Sequence, residues 1–348
     1  MSSTHTHPTP PDPGLIDVHH HFFPPNYTLF KQTLSHSLGF RTPPENFPWS
    51  ASSSLRAMDT LGIELAILST PAGYPHLEGE EGRKKTREAN AQMGEICKCE
   101  EWRGRFRFWG CVGDMRDTQV ALEMIKYSMD ELGAVGIAVA SCYGNGSDAK
   151  YIGDDIFDPI WEDLNRRSAI VFLHGAQIPS STPCPNEFLG VPVTEVPNET
   201  TKAISHLVTS LKTLHYPQLT FLLSHLGGTL TALAPRVAAL ARYMGSEMSE
   251  EAILREFGRC WLDCGLSCGE GSLRGVEAMT AGGGEGGGLG RVVYGSDYPA
   301  VSIKTIEWFK KNLVDYCGED EQKLDGVRRG NVVRLFESHG IDILASRA

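Results

Sequence analysis

The stretch Leu15-Ile16-Asp17-Val18-His19-His20-His21-Phe22 decides how the rest of this chain is read. It enters apolar, carries His-x-His, and stops at Pro24-Pro25, where proline ends a strand. Side chains alternate faces along a strand, so His19 and His21 are expected on one side and His20 on the other. Two imidazoles on one side, at the end of a buried strand, can chelate one divalent metal. A polar turn without metal is the competing reading of this stretch taken alone.

Working outward, seven further apolar runs resemble this one. The full set covers 15–22, 65–71, 106–113, 133–140, 169–175, 219–227, 260–266 and 292–299. Most are near-continuous rather than alternating, as in parallel strands buried on both faces. Helix signals lie between them, over 81–102, 117–132, 199–215, 230–244 and 301–316. Eight strands alternating with helices predict an α/β fold, a single (β/α)8 TIM barrel with long loop insertions. An open doubly wound sheet is the runner-up. It wants a Gly-x-Gly-x-x-Gly turn after an early strand, and the sequence has none. Two stretches read as irregular: the Pro/Ser-rich segment 23–53 and the glycine tract 281–290, a flexible insertion that lacks the Lys-Ser/Thr of a phosphate loop. Residues 1–13 read as a disordered arm in which His5 and His7 are solvated, and 14–348 as one barrel domain.

Composition narrows the partners. The chain has 348 residues and a formal net charge of −11, with no basic stripe to suit nucleic acid or a membrane surface. Its 9 cysteines are scattered without a disulfide framework, which points to a reducing compartment. Cys260, Cys264 and Cys268 recur every four residues but lack zinc-site spacing. No run approaches the ~20 apolar residues of a membrane helix, and no secretion signal is evident, so the cytosol is the expected location.

Active sites of such barrels lie at the C-terminal ends of the strands. Strand one delivers His19 and His21 there, strand five His174, strand six His225 and strand eight Asp297. A lone histidine is more often a satisfied core or loop residue than a ligand. Four at strand ends with one aspartate are a different matter. His20, His36, His76, His206, His215 and His339 lack that placement.

This constellation, with its strand-one Asp-x-His-x-His, resembles the amidohydrolase superfamily. The run Arg329-Gly330-Asn331-Val332-Val333-Arg334-Leu335-Phe336 resembles the terminal helix of its branch that includes aminocarboxymuconate semialdehyde decarboxylase. The resemblance covers about residues 15–338. Two-metal members place a lysine on strand four, whereas Gly136-Ile137-Ala138-Val139-Ala140-Ser141 has none, which favours a single metal. The resemblance implies His19, His21, His174 and Asp297 as ligands of one divalent ion per subunit, manganese or zinc.

Further residues follow from the same resemblance. Gly39-Phe40-Arg41 followed by Glu45-Asn46 and Trp49 implies that Arg41 binds the substrate carboxylate, for which a guanidinium is suited. Arg236, eleven residues after His225, implies a homodimer in which it reaches the neighbouring subunit's site. Phe22, Phe23, Phe47 and Trp49 are candidate walls for an aromatic substrate. Residues 41–50 and 17–25 also resemble fungal decarboxylases of 6-methylsalicylate. The expected reaction is therefore non-oxidative decarboxylation of an ortho-hydroxy aromatic acid, 6-methylsalicylate to 3-methylphenol (m-cresol) and carbon dioxide. Asp297 is expected to protonate the ring carbon, and His225 to relay the proton. The alternative is a metal-dependent hydrolase of the lactonase type, and a binding protein without turnover is a third reading.

Overall fold

The computed structural model describes residues 14–25, 42–72, 74, 77–102, 104–144, 148–176, 188–281 and 287–345. The expected arm at 1–13, Arg41 and residues 282–286 of the glycine tract lie outside these residues.

β1 (Leu15–His21) pairs in parallel with β2 (Ile63–Ser69), and β2 with the first half of β3 (Phe106–Phe108). Past Trp109, the second half of β3 (Gly110–Cys111) pairs with β4 (Ile137–Ala140). The ladder continues through β5 (Ile170–His174), β6 (Thr220–Leu223), β7 (Trp261–Asp263) and β8 (Val292–Val293), every pairing parallel. Residues just past β8 return to β1. The Val18 N–H donates to the Tyr294 carbonyl (3.0 Å), the Asp297 N–H to that of His19 (2.8 Å) and the His21 N–H to that of Tyr298 (2.7 Å). The result is the (β/α)8 barrel that the alternating runs predict.

Two apolar layers hold it. Inside the ring lie Ile16, Val18, Ile67, Trp109, Phe172 and Trp261, closed from below by Val332, Leu335 and Phe336 of the helix Asn331–Glu337. A larger layer sits between strands and outer helices. The inner filling makes the barrel a packed core, so chemistry is confined to its upper rim.

β1 does not keep strict alternation. Ile16 and Val18 both belong to the inner layer, and simple parity would send His20 there as well. The register against β2 shifts between Asp17 and His20, as at a β-bulge. His19 and His21 consequently face the interior. His20 turns outward, where its ring meets Asp17 (2.9 Å) and Ser54 (2.5 Å). Both sides of the irregularity are tied down. Asp17 accepts the backbone N–H groups of His19 (3.1 Å) and Ser296 (2.9 Å), while the Trp109 indole N–H donates to the Val18 carbonyl (2.9 Å).

Three expectations need correction. The segment 23–53 is not irregular to its end, because a helix spans Ala51–Leu61. Ser50 caps it by accepting the Ser53 N–H, and Gly62 ends it in the left-handed conformation, so Ser50 and Ser53 form a cap rather than loop filler. The helix expected over 199–215 is longer at its start and broken at its end, running Val191–Thr209 and then Lys212–His215. Pro192 sits in its first turn, where no N–H is needed, and Pro197 is carried inside it. The run 292–299 is strand only at Val292–Val293, and its remainder is the loop that carries Asp297.

Candidate metal centre

β1, β5 and the loop after β8 bring His19, His21, His174 and Asp297 into one cluster. One donor atom from each lies within 4.8 Å of the others. All four residues are buried. The Nε2 atoms of His19 and His21 are 3.2 Å apart, and both face Asp297 Oδ1, at 3.3 and 3.0 Å. Two imidazole lone pairs this close repel unless a proton or cation lies between them.

The outer ring nitrogens explain the orientation. His174 Nδ1–H donates to the Gly175 carbonyl (2.9 Å), and His225 Nδ1–H to the Gly265 carbonyl (2.9 Å). A carbonyl only accepts, so Nδ1 carries a proton in both rings. His19 Nδ1 faces Asp263 Oδ2 at 3.0 Å, and His21 Nδ1 faces the Ser69 hydroxyl at 3.2 Å. Every histidine of the cluster thus has its Nδ1 engaged and its Nε2 directed inward, the arrangement that prepares imidazoles for a metal. Three neutral imidazoles and a carboxylate are a donor set that zinc and manganese both accept, so the residues fit a divalent ion.

Charge is divided unequally among these groups. Burial works against a charge on His19, but Asp263 and then Asp297 overcome it and hold its proton affinity well above the usual range. His174 is pushed well below, by burial and then by His19, His225 and His21, and is neutral at pH 7. Burial opposes ionisation of Asp297, yet His19 and His21 hold it well below the usual carboxylate range.

His225 leans on this cluster, its ring centroid 4.9 Å from that of His19 and 5.2 Å from that of His174. It also shares a second grouping with His19 and Asp263. The backbone at His225 and Asp297 lies in the left-handed region, at φ 54° and 58°. Non-glycine residues seldom adopt that region, and such strain gathers at functional sites. Gly295 is required by close packing, since a Cβ there would lie 2.9 Å from both Asp263 Oδ1 and His19 Cβ.

The other sequence-derived candidates are spread around this centre. Phe23 approaches His21 (centroids 6.2 Å) and packs edge-on against Phe47 (5.2 Å). Phe22 is buried in the outer apolar layer with its edge on Trp49 (4.9 Å). Asn46 donates to the carbonyls of Pro299 (3.0 Å) and Val301 (3.3 Å), tying its loop to the one that carries Asp297. Arg236 is exposed on the helix Leu230–Tyr243, away from the cluster of its own chain. Two contributors were not singled out from sequence. Asp263 closes the apolar β7 run, and Ser69 closes β2; the signal for each was a polar residue at a strand's C-terminal end.

Residues 16–264 match a family described as Amidohydrolase. The decarboxylase yanB of Aspergillus niger is 32% identical over 333 residues, covering 92% of this chain and 87% of that protein. The 6-methylsalicylic acid decarboxylase acuB of Aspergillus aculeatus is 31% identical over 335 residues, covering 92% of this chain and 95% of that one. Among solved structures, a dihydroxybenzoic acid decarboxylase from Polaromonas, with bound manganese and 2-nitroresorcinol, superposes with a TM-score of 0.76. It is 20% identical, and the match covers 95% of this chain and 99% of that one.

Proposed function

Because this chain belongs to the amidohydrolase family, we propose that it is a metal-dependent, non-oxidative decarboxylase of ortho-hydroxy aromatic acids. The substrate we assign is 6-methylsalicylate, and the products are 3-methylphenol and carbon dioxide. The observation that carries the reading is the convergence of His19, His21, His174 and Asp297 with their outer ring nitrogens engaged. It occurs in a chain about as similar to a 6-methylsalicylic acid decarboxylase as to its other curated relatives. Relatives named as decarboxylases favour this chemistry over the hydrolase alternative.

One divalent ion held by these four residues would supply Lewis-acid stabilisation of charge on the carboxylate and phenol oxygens. A carboxyl held ionised, as Asp297 is, acts first as a base. In our scheme it takes the phenolic proton and delivers it to the ring carbon that bears the carboxylate. The new C–H bond makes that carbon tetrahedral, the C–C bond breaks, and carbon dioxide leaves with the ring electrons returned to the phenolate. His225, beside the cluster, then restores the phenol proton from solvent. Arg41 holds the substrate carboxylate during approach, and Phe23 and Phe47 flank the ring. Phe22 and Trp49 support them from behind.

We also assign a homodimer in which Arg236 serves the partner's site, on its exposure and on the apolar Leu233, Leu240, Tyr243 and Met244 exposed on the same helix and its end. Manganese is our first assignment for the metal, with zinc beside it. Among the described residues eight cysteines are free thiols, which supports placement in the cytosol.

The test is product analysis on protein of known metal content incubated with 6-methylsalicylate. One equivalent each of carbon dioxide and 3-methylphenol, lost on chelation and restored by manganese or zinc, is the expected result. Fully loaded protein that forms neither product overturns the proposal.

A further inference from the structure

Beside the metal centre, the barrel mouth holds a small recess on the side of β2, β3 and β4. His174 forms its inner wall, and Ala138, Ala140, Cys111, Val112 and Tyr143 are among the residues that line the rest. Its volume is about 20 Å³, room for one water or one methyl-sized group.

The recess exists because β4 is small where its neighbours are large. The interior elsewhere is filled by Trp109, Phe172 and Trp261. β4 lines the recess with Val139 and, as its small positions, with Ala138 and Ala140; Ala138 is part-exposed although it sits in the barrel wall. A longer side chain at either position would occupy the space.

The wall is mixed: Ala138, Ala140, Val112, Phe172 and the Cys111 thiol lie beside Thr70, Tyr74, Tyr143 and His174, which carry polar groups. Part of the polar wall is engaged: the Tyr143 hydroxyl accepts the Ala140 N–H at 3.0 Å, and the Cys111 thiol donates to the Tyr74 carbonyl at 3.6 Å. A methyl group seated there buries its surface against Ala138, Ala140 and Val112.

We infer that this recess receives the ring substituent that flanks the substrate carboxylate on the side away from the hydroxyl, and that Ala138 and Val112 set its size limit. The inference rests on the proposed function, since that reading brings the carboxylate to the four donors. A substituent on the adjacent ring carbon is then the part of the substrate nearest to His174 and the recess. The preferred class is a 2-hydroxybenzoate with a methyl at position 6. An unsubstituted ring leaves the recess empty, and an ethyl or larger group overfills it.

The experiment compares 2-hydroxybenzoate, 2-hydroxy-6-methylbenzoate and 2-ethyl-6-hydroxybenzoate on manganese-loaded protein, by calorimetric affinity and by turnover. Wild type should favour the methyl compound over the unsubstituted one by roughly 10-fold or more. Ala138→Val should bring that ratio to about one at equal metal content. Val112→Ala should shift preference toward the ethyl compound by about 10-fold, and it keeps the test decisive if the valine variant does not fold. Ratios that neither substitution moves would overturn the recess. Binding ratios that move as stated, in a protein that releases no carbon dioxide from any of the three, support the recess and overturn the decarboxylase reading instead.

Discussion

The carboxylate of Asp263 meets Nδ1 of His19 at 3.0 Å, joining residues 244 apart in sequence. Neither side chain is exposed to solvent. The second carboxylate oxygen accepts the N–H of Gly265 at 2.8 Å, which fixes the carboxylate as firmly as it fixes the ring. Asp263 thereby sets which nitrogen of His19 faces the centre.

Asp263→Asn should therefore weaken metal binding without removing a ligand. Roughly 10- to 100-fold lower affinity for manganese or zinc is expected, from competition with a chelating dye. Unchanged affinity would mean that His19 is held by packing alone.

Metal binding should depend on pH in a definite direction. His19 holds its proton above the usual range, because the nearby Asp263 and Asp297 carboxylates outweigh the effect of burial. In the metal-free protein it is therefore protonated at neutral pH, and an entering ion must displace that proton. Affinity should rise with pH from about 6.5 up to the raised value, by about tenfold per unit for one proton released. Calorimetry in buffers of different ionisation enthalpy measures that proton. Loss of the carboxylate in Asp263→Asn should lower the proton affinity of His19 and flatten the slope.

His225→Ala should lower turnover by roughly 10²–10⁴-fold while metal content stays at the wild-type level. Its ring touches the four-donor cluster from outside, with Nδ1 on the Gly265 carbonyl. Loss of metal in the variant would instead make His225 a ligand.

Trp109→Phe tests the irregularity in β1. The substitution keeps an aromatic ring inside the barrel and deletes the N–H that reaches Val18. An unpartnered buried carbonyl should cost about 1–3 kcal/mol, read as a lower denaturation midpoint. If Trp109 also holds the β1 shift in place, metal affinity falls with stability; if stability alone falls, packing with β2 fixes the shift.

Much of the fold was legible because its signals are local. The apolar runs at 65–71 and 169–175 lie within two residues of the strands Ile63–Ser69 and Ile170–His174. The helix expected over 230–244 spans Leu230–Tyr243. The helices Asp158–Arg166, Glu250–Gly258 and Glu270–Thr280 were not marked, although they complete the strand–helix alternation. Each is short, and their apolar faces are completed only by contact with the barrel. Asp263 was missed for a related reason. Its partner is 244 residues away, and nothing near it in the chain marks it as more than the last residue of a strand.

What the sequence determined by itself was the strand order, the rim at which His19, His21, His174, His225 and Asp297 end, and the absence of a lysine on β4. Those are matters of residue type and spacing. Tertiary structure decided which face of β1 becomes the centre. By alternation alone Ile16, Val18 and His20 share a face, and the register shift between Asp17 and His20 gives the interior to His19 and His21 instead. That shift is flanked by the pairing with β2, the Trp109 bond to the Val18 carbonyl, and the Asp17 bond to the Ser296 N–H. All three partners come from elsewhere in the chain, so nothing within β1 itself reveals the shift.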